Sequence, residues 1–222
     1  MIFIKRSKKL NMKQIVMLLS ILLLSNMAMG QTAREIKLNA PNKERGTSLM
    51  KALNDRHSSR EMDTKALNLQ DLSDLLWAAN GVNRSDGRRT APTAMNRQDI
   101  DLYVALPEGT YLYDAKEFLL KLAIEQDIRP LLAGPQEFIK SAPVVLVIVS
   151  DTAKFPAGID GKLWGAFDAG IVSQNINIFC SAVGLETVTR AYMDAGKVKE
   201  ALRLSEGQIV MLNNPVGYPK PK

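Results

Sequence analysis

LWGAFDAGIVSQNINIFCSAVG, from Leu163 to Gly184, is the stretch whose reading decides the fold. It carries no proline, lysine, arginine or glutamate, and apolar residues fall around most of its helical circumference. A helix of that kind has little face to offer water. Asp168, Gln174, Asn175 and Asn177 rule out a lipid-facing span, because polar groups are costly in hydrocarbon. Gly165, Ala166, Ala169, Gly170, Ser173 and Ala182 are small enough to admit a second helix closely. The stretch therefore predicts a long helix buried in the centre of a domain or in a subunit interface.

The neighbouring segments give that helix a sheet to pack on. PVVLVIVSD (Pro143 to Asp151) is β-branched and apolar on both sides, which predicts a central strand covered on both faces. IDLYVALPEGTYLYD (Ile100 to Asp114) alternates and turns at Pro107-Glu108-Gly109, as a hairpin does. TSLMKALNDR (Thr47 to Arg56) has Leu49, Met50 and Leu53 on one helical face. NLQDLSDLLWAANG (Asn68 to Gly81) reads as a helix capped by Asn68 and closed by Gly81. KEFLLKLAIEQD (Lys116 to Asp127) is expected to be a helix and GPQEFIKS (Gly134 to Ser141) a short one. LETVTRAY (Leu185 to Tyr192) suits a strand, and DAGKVKEALRL (Asp194 to Leu204) a helix ending near Ser205. GQIVMLNNPVGYPKPK (Gly207 to Lys222) is expected to be a strand that runs into a proline-rich tail. Strands and helices mix without a run of βαβ units, which predicts an α+β fold with a mixed or antiparallel central sheet flanked by helices.

The beginning of the chain has a separate character. Residues 1–30 join a basic start (Lys5, Arg6, Lys8, Lys9, Lys13) to an apolar core from Ile15 to Leu24, then to Ala28-Met29-Gly30. That is the three-part pattern of a cleaved secretory signal, and the apolar core is short of the roughly 20 residues a span needs. The expected product is exported, periplasmic and free of the membrane after cleavage. It comprises an N-terminal arm at 31–46 and one domain at 47–222. The formal charge of +6 falls to +1 once the five basic residues of the signal are subtracted. Nothing in that balance calls for a nucleic-acid partner. The single cysteine, Cys180, has no disulfide partner and is expected to be buried packing. Trp77 and Trp164 are expected in the core or an interface.

Several chemistries are excluded. One histidine and one cysteine cannot make a usual zinc site. There is no nucleophile elbow, phosphate-binding P-loop or dinucleotide glycine fingerprint. His57 lies among arginines, not beside a carboxylate that would orient it as a base. Asp99 and Asp101 alternate with apolar residues and are expected on the solvated side of a strand. What remains is RHSSR (Arg56 to Arg60). Its arginines can fork onto an anion and its serines add hydroxyl donors, unless the loop is simply a solvated basic helix terminus. RTAPTAMN (Arg89 to Asn96) adds a proline-stiffened loop with small and amide side chains.

Together these segments resemble the nitroreductase-like FMN flavoproteins, in the branch near the azoline-forming dehydrogenases. RHSSR is similar to that family's R-[RH]-S-x-[RK] signature and RTAPTAMN to its P-[ST]-x-x-N loop. DAGIVSQNINIFCSAVGLETVTRAY is similar to its central helix and following loop, and VGYP to its terminal motif. The resemblance implies FMN bound at a homodimer interface that contains the long helix. It places Arg56, with Lys220 or Lys222, on the phosphate, and His57 and Ser58 on the phosphate or ribityl chain. Arg60 falls at the N1/O2 edge of the flavin. Pro92, Thr93, Ala94 and Asn96 meet the ring edge from the other subunit, and backbone N–H groups around Arg190 and Ala191 point at N5. No catalytic side chain or metal is implied, since the flavin carries the electrons. The implied activity is an FMN-dependent oxidoreductase passing a hydride in two half-reactions from a small-molecule donor to nitro compounds or quinones. A flavin dehydrogenase that oxidises its substrate, and an exported flavin-binding protein without catalysis, are the alternatives.

Overall fold

The computed structural model describes residues 33–221; the predicted signal at 1–30 and Lys222 lie outside the described residues. Its centre is strand β5 (Val144–Asp151), the PVVLVIVSD segment, whose side chains are buried on both faces as its composition requires. Val144, Leu146 and Ile148 enter one hydrophobic cluster, and Val145, Val147 and Val149 enter another. The sheet thus separates two layers of helix. On the first side lie α2 (Leu69–Asn80) and the long helix α5 (Gly161–Val183). They contribute Leu72, Leu75, Leu76, Ala169, Val172, Ile176 and Cys180. On the second lie short helices α3 (Arg129–Ala133), α4 (Phe138–Ser141) and α6 (Ala195–Ala201). They contribute Leu132, Ile139 and Val198.

Strands β1 (Glu35–Lys37), β2 (Ile100–Leu106), β3 (Gly109–Asp114), β4 (Leu119–Ile124), β6 (Glu186–Thr187) and β7 (Gln208–Gly217) complete the sheet. The order is β1-β4-β3-β2-β5-β7-β6, and every pairing among them is antiparallel. The fold is α+β. The hairpin from β2 to β3 forms where expected, with Leu106 opposite Gly109. Helix α1 (Leu49–Asp55) is capped by Ser48, and α2 by Asn68, whose side chain accepts the Asp71 N–H at 2.8 Å. Helix α5 starts at Asp160, which accepts the Leu163 N–H at 3.1 Å, and ends at Gly184 with φ +75°. A left-handed residue at that position suits glycine.

The structure departs from expectation at five places. KEFLLKLAIEQD is strand β4, not a helix. Asp114 accepts the N–H groups of Lys116 and Glu117 at 3.0 and 2.9 Å, and Phe118 takes φ 53°. That turn sends the chain back along β3, where Leu120 becomes fully buried and Lys121 pairs with Asp114. LETVTRAY yields only the two residues of β6 and an isolated bridge from Arg190 to Asn213. Helix α6 stops at Ala201, because Arg203 turns to φ 52°. The arm at 31–46 carries β1, which pairs with β4 along Glu35–Lys121, and helix α3 precedes the expected α4.

Candidate functional site

The RHSSR loop leaves α1 at Arg56, whose N–H still bonds Ala52 O at 3.0 Å. Ser59 then fixes the loop: its N–H donates to Thr187 O at 2.9 Å, in β6. Arg56, His57, Ser58 and Arg60 are left exposed around that anchor. Among the described residues no hydrogen bond or ion pair engages the side chains of Arg56, Ser58 or Arg60, so their donors face outward unpartnered. His57 corrects the sequence reading. Its Nε2 lies 3.3 Å from Glu186 Oε2, while Nδ1 lies 3.0 Å from Asp55 O. The carboxylate arrives from β6, far along the chain, so local sequence did not reveal it.

Arg190 is the strongest feature beside this loop. Its side chain is buried, and all its partners are neutral. Nε donates to Gln136 Oε1 at 2.7 Å, Nη1 to Leu132 O and Asn213 Oδ1 at 3.0 and 2.7 Å, and Nη2 to Ala133 O at 3.1 Å. No carboxylate comes within ion-pair distance of it among the described residues. Burial, and next the charge of Arg60, lower its affinity for its proton. Two positive charges are thus held within electrostatic reach of each other, and among the described residues neither has an ion-pair partner. The backbone of Arg190 corrects a second expectation. Its N–H donates to Asn213 O at 2.9 Å, so it is not available to a ring nitrogen; Ala191 follows it at the surface. The tail returns to the same end: Asp63 N–H bonds Tyr218 O at 2.8 Å, and Lys220 is exposed two residues on.

The second loop lies elsewhere. Thr93 precedes a single 3-10 turn, Ala94–Asn96, and its Oγ1 accepts the Gln98 N–H at 2.8 Å. Pro92 and Asn96 are exposed. Met95, Asn96 and Gln98 have φ of 52°, 52° and 47°. Asparagine tolerates that region, whereas methionine and glutamine adopt it only when their surroundings hold them there. The restraint is Asp168 of α5, whose two carboxylate oxygens accept the Ala94 N–H at 2.9 and 3.1 Å. Asp168 is itself buried, against Asp99. Asp99 is fully buried rather than solvated as expected; it accepts the Ser150 hydroxyl at 2.6 Å, and its other oxygen has no partner among the described residues. Burial first, and then Asp99, push the Asp168 carboxyl up to about 6, against the Ala94 N–H bond that lowers it. Two carboxyl groups this close hold a proton between them more readily than two charges.

The two loops hang on different elements: RTAPTAMN is tied to Asp168 of α5, and RHSSR to Thr187 of β6. Past β6 the chain runs back along α5, where Thr189 Oγ1 lies 2.7 Å from Ser173 Oγ and accepts the Asn177 side-chain amide at 2.7 Å. Cys180 of α5 is buried and unpaired, with its thiol pushed up by burial; it is packing, as read from the sequence.

A family model described as the nitroreductase family matches residues 53–218, from within α1 to the tail. The chain belongs to the nitroreductase family. A nitroreductase relative from Methanocaldococcus jannaschii is 28% identical over 173 residues, covering 73% of this chain and 86% of its own. A nitroreductase crystal structure from Ralstonia eutropha JMP134 superposes with a TM-score of 0.82 at 36% identity, covering 88% of this chain and 94% of that one. One from Anabaena variabilis gives a TM-score of 0.70 at 21% identity, covering 84% of this chain and 42% of that one. As a nitroreductase-family protein, the chain is an oxidoreductase by class.

Proposed function

We propose that this nitroreductase-family chain is an exported, homodimeric, FMN-dependent oxidoreductase that takes a hydride from a small donor and delivers it to small conjugated acceptors such as nitro compounds or quinones. One observation carries the reading: buried Arg190 lies within electrostatic reach of Arg60, Arg56 belongs to the same loop as Arg60, and among the described residues none of the three has an ion-pair partner. A cluster of that kind is stable beside an anion. The residues fit FMN in chemistry. Arg56, Ser58 and Lys220 supply donors for a phosphate, and Arg60 and Arg190 supply positive charge beside a ring that becomes anionic on reduction. Pro92, Thr93, Ala94 and Asn96 offer a rigid edge, held by Asp168. Bound FMN supplies the two-electron chemistry; the chain's residues bind it, orient it and set its potential.

The signal-like pattern of residues 1–30 supports export. The test is spectroscopic. Purified protein is expected to be yellow, to bleach anaerobically with NADH or NADPH, and to recover its colour with a nitroarene or a quinone. Colour that dithionite bleaches but no donor does would make this a flavin-binding protein. Colourless protein that cannot be reconstituted with FMN would end the proposal. Arg56→Ala is expected to weaken FMN retention at least about tenfold, in line with losing a charge-assisted phosphate contact. Unchanged flavin content on gel filtration would remove Arg56 from the clamp.

A further inference from the structure

Behind the RTAPTAMN loop the chain makes a structure that the flavin reading does not use. Residues 82–89 fold back as a small hairpin, with Val82 bridged to Arg89 and Asn83 N–H bonded to Arg88 O at 3.1 Å. Between this hairpin and the turn from β3 to β4 lies a cleft of about 600 Å³, within the range of small-molecule sites. Arg84, Arg89 and Lys116 line it, together with Gln98 and a single carboxylate, Asp86. Asp86 is engaged elsewhere: it pairs with Arg88 at 3.2 Å and accepts the Arg88 N–H at 3.1 Å.

Arg84 donates to neutral groups, Asn83 Oδ1 at 3.1 Å and Arg89 O at 3.2 Å. Among the described residues, no ion pair involves Arg84, Arg89 or Lys116. The nearest acids to Arg89 are occupied. Asp101 meets Gln208 and Lys154 at 2.9 and 3.6 Å, and Asp114 meets Lys121 at 2.6 Å. Arg89 is half-buried and its Nε has no acceptor; the hydroxyl of Tyr113, within its electrostatic reach, is buried and likewise unpartnered. Burial lowers the hold of Arg89 on its proton, and the charges of Tyr113, Asp101 and Asp114 only partly oppose it. A buried donor left unmade costs about 1–3 kcal/mol, so its retention calls for an acceptor from outside.

We infer that this cleft is a second anion site, which takes a small molecule by a phosphate or carboxylate group gripped between Arg89, Arg84 and Lys116. The guanidinium fork of Arg89 suits two oxygens at once, and Lys116 adds a point charge from the facing turn. The site shares Arg89 with the RTAPTAMN segment, but it includes none of the residues assigned to the flavin there, Pro92, Thr93, Ala94 and Asn96, and none of the RHSSR loop.

The test is calorimetric, on protein carrying Arg56→Ala and Arg60→Ala to remove the competing cations. Sodium pyrophosphate and disodium succinate are titrated separately at fixed ionic strength. One saturable site is expected for at least one of them, and the tighter binder names phosphate or carboxylate as the group. Arg89→Met in that background is expected to weaken it at least about tenfold. Lys116→Met, at an exposed turn position, is expected to weaken it about threefold or more, and serves if Arg89→Met does not fold. Asp86→Asn is expected to tighten it. Absence of a saturable site for both probes, or binding indifferent to both Arg89→Met and Lys116→Met, would overturn the inference.

Discussion

Arg190 concentrates the residue-scale argument, because its charge and its hydrogen bonds are separable. Arg190→Met removes both: it takes the Arg190 donors from Gln136 Oε1, Leu132 O and Asn213 Oδ1, while Ala133 O keeps the Gln136 N–H, and it deletes the buried positive charge. Arg190→Lys keeps the charge and loses part of the bonding. Both variants are therefore expected to lose stability, by about 1–3 kcal/mol for each buried group left unpaired. Arg190→Met alone is expected to lower the reduction potential of bound FMN. A potentiometric titration giving equal potentials for the two variants would show that the charge does not reach the ring. Asp168 offers a second residue-scale prediction, with a definite sign. Its folded carboxyl binds a proton up to about pH 6 and an unconstrained one only to 3.8. Between those values the folded state holds more protons, so the contribution of this carboxyl to stability is full below the lower one and is lost as pH rises through about 6. Asp168→Asn can still accept the Ala94 N–H and is expected to flatten that fall. Urea unfolding between pH 4 and 7.5 measures it, and an unaltered slope in the variant would assign it to other groups. The RHSSR chemistry was legible because its donors are adjacent in sequence. Asp99 was not: its burial is set by Ser150 and Asp168, which arrive from another strand and from α5. Glu186 reached His57 in the same non-local way.

At the scale of elements, α5 and β5 were readable because their composition allows a single environment. Strand β4 was misread because Phe118 to Ile124 satisfies both a helical and an alternating pattern. What decided it was the turn built on Asp114 and the open edges of β3 and β1, which no window of sequence contains. The small residues of α5 prove to serve different ends. Gly165 faces β5 so closely that a Cβ would lie 2.2 Å from Ser150 Oγ and 2.8 Å from its Cβ. Gly165→Ala must displace either the helix or Ser150, and Ser150 is the donor that holds Asp99. The substitution is expected to destabilise the fold by about 1–3 kcal/mol, despite the better helix propensity of alanine. A chemical denaturation midpoint equal to that of the unaltered protein would show that the strand yields without cost.

Over the whole molecule, the long helix leaves a question that one chain does not answer. Leu163, Trp164 and Phe167 on α5 are 47, 41 and 53% exposed, and Leu49, Met50 and Leu53 on α1 are 63, 74 and 46% exposed. Gly170, on the exposed side of α5, has nothing within 4 Å of where a Cβ would sit. A glycine inside a helix costs about 1 kcal/mol against alanine, and the packing of this chain gives no reason for it. A second helix crossing there would supply the reason. The two halves of the candidate site make a related demand, since in one chain they hang on different elements, the ring-edge loop on Asp168 of α5 and RHSSR on Thr187 of β6. Two chains packed through α5 and α1 would let the ring-edge loop of one approach the RHSSR loop of the other. Phe167→Glu places a charge in that apolar face without touching either loop. It is expected to yield a monomer by analytical ultracentrifugation, with FMN affinity reduced at least about tenfold, because each monomer keeps the phosphate clamp and loses the edge contacts. Arg56→Ala, by contrast, is expected to remain dimeric while releasing flavin. A Phe167→Glu monomer that holds FMN as tightly as the parent would mean that a single chain completes the site and that the exposed faces have another purpose.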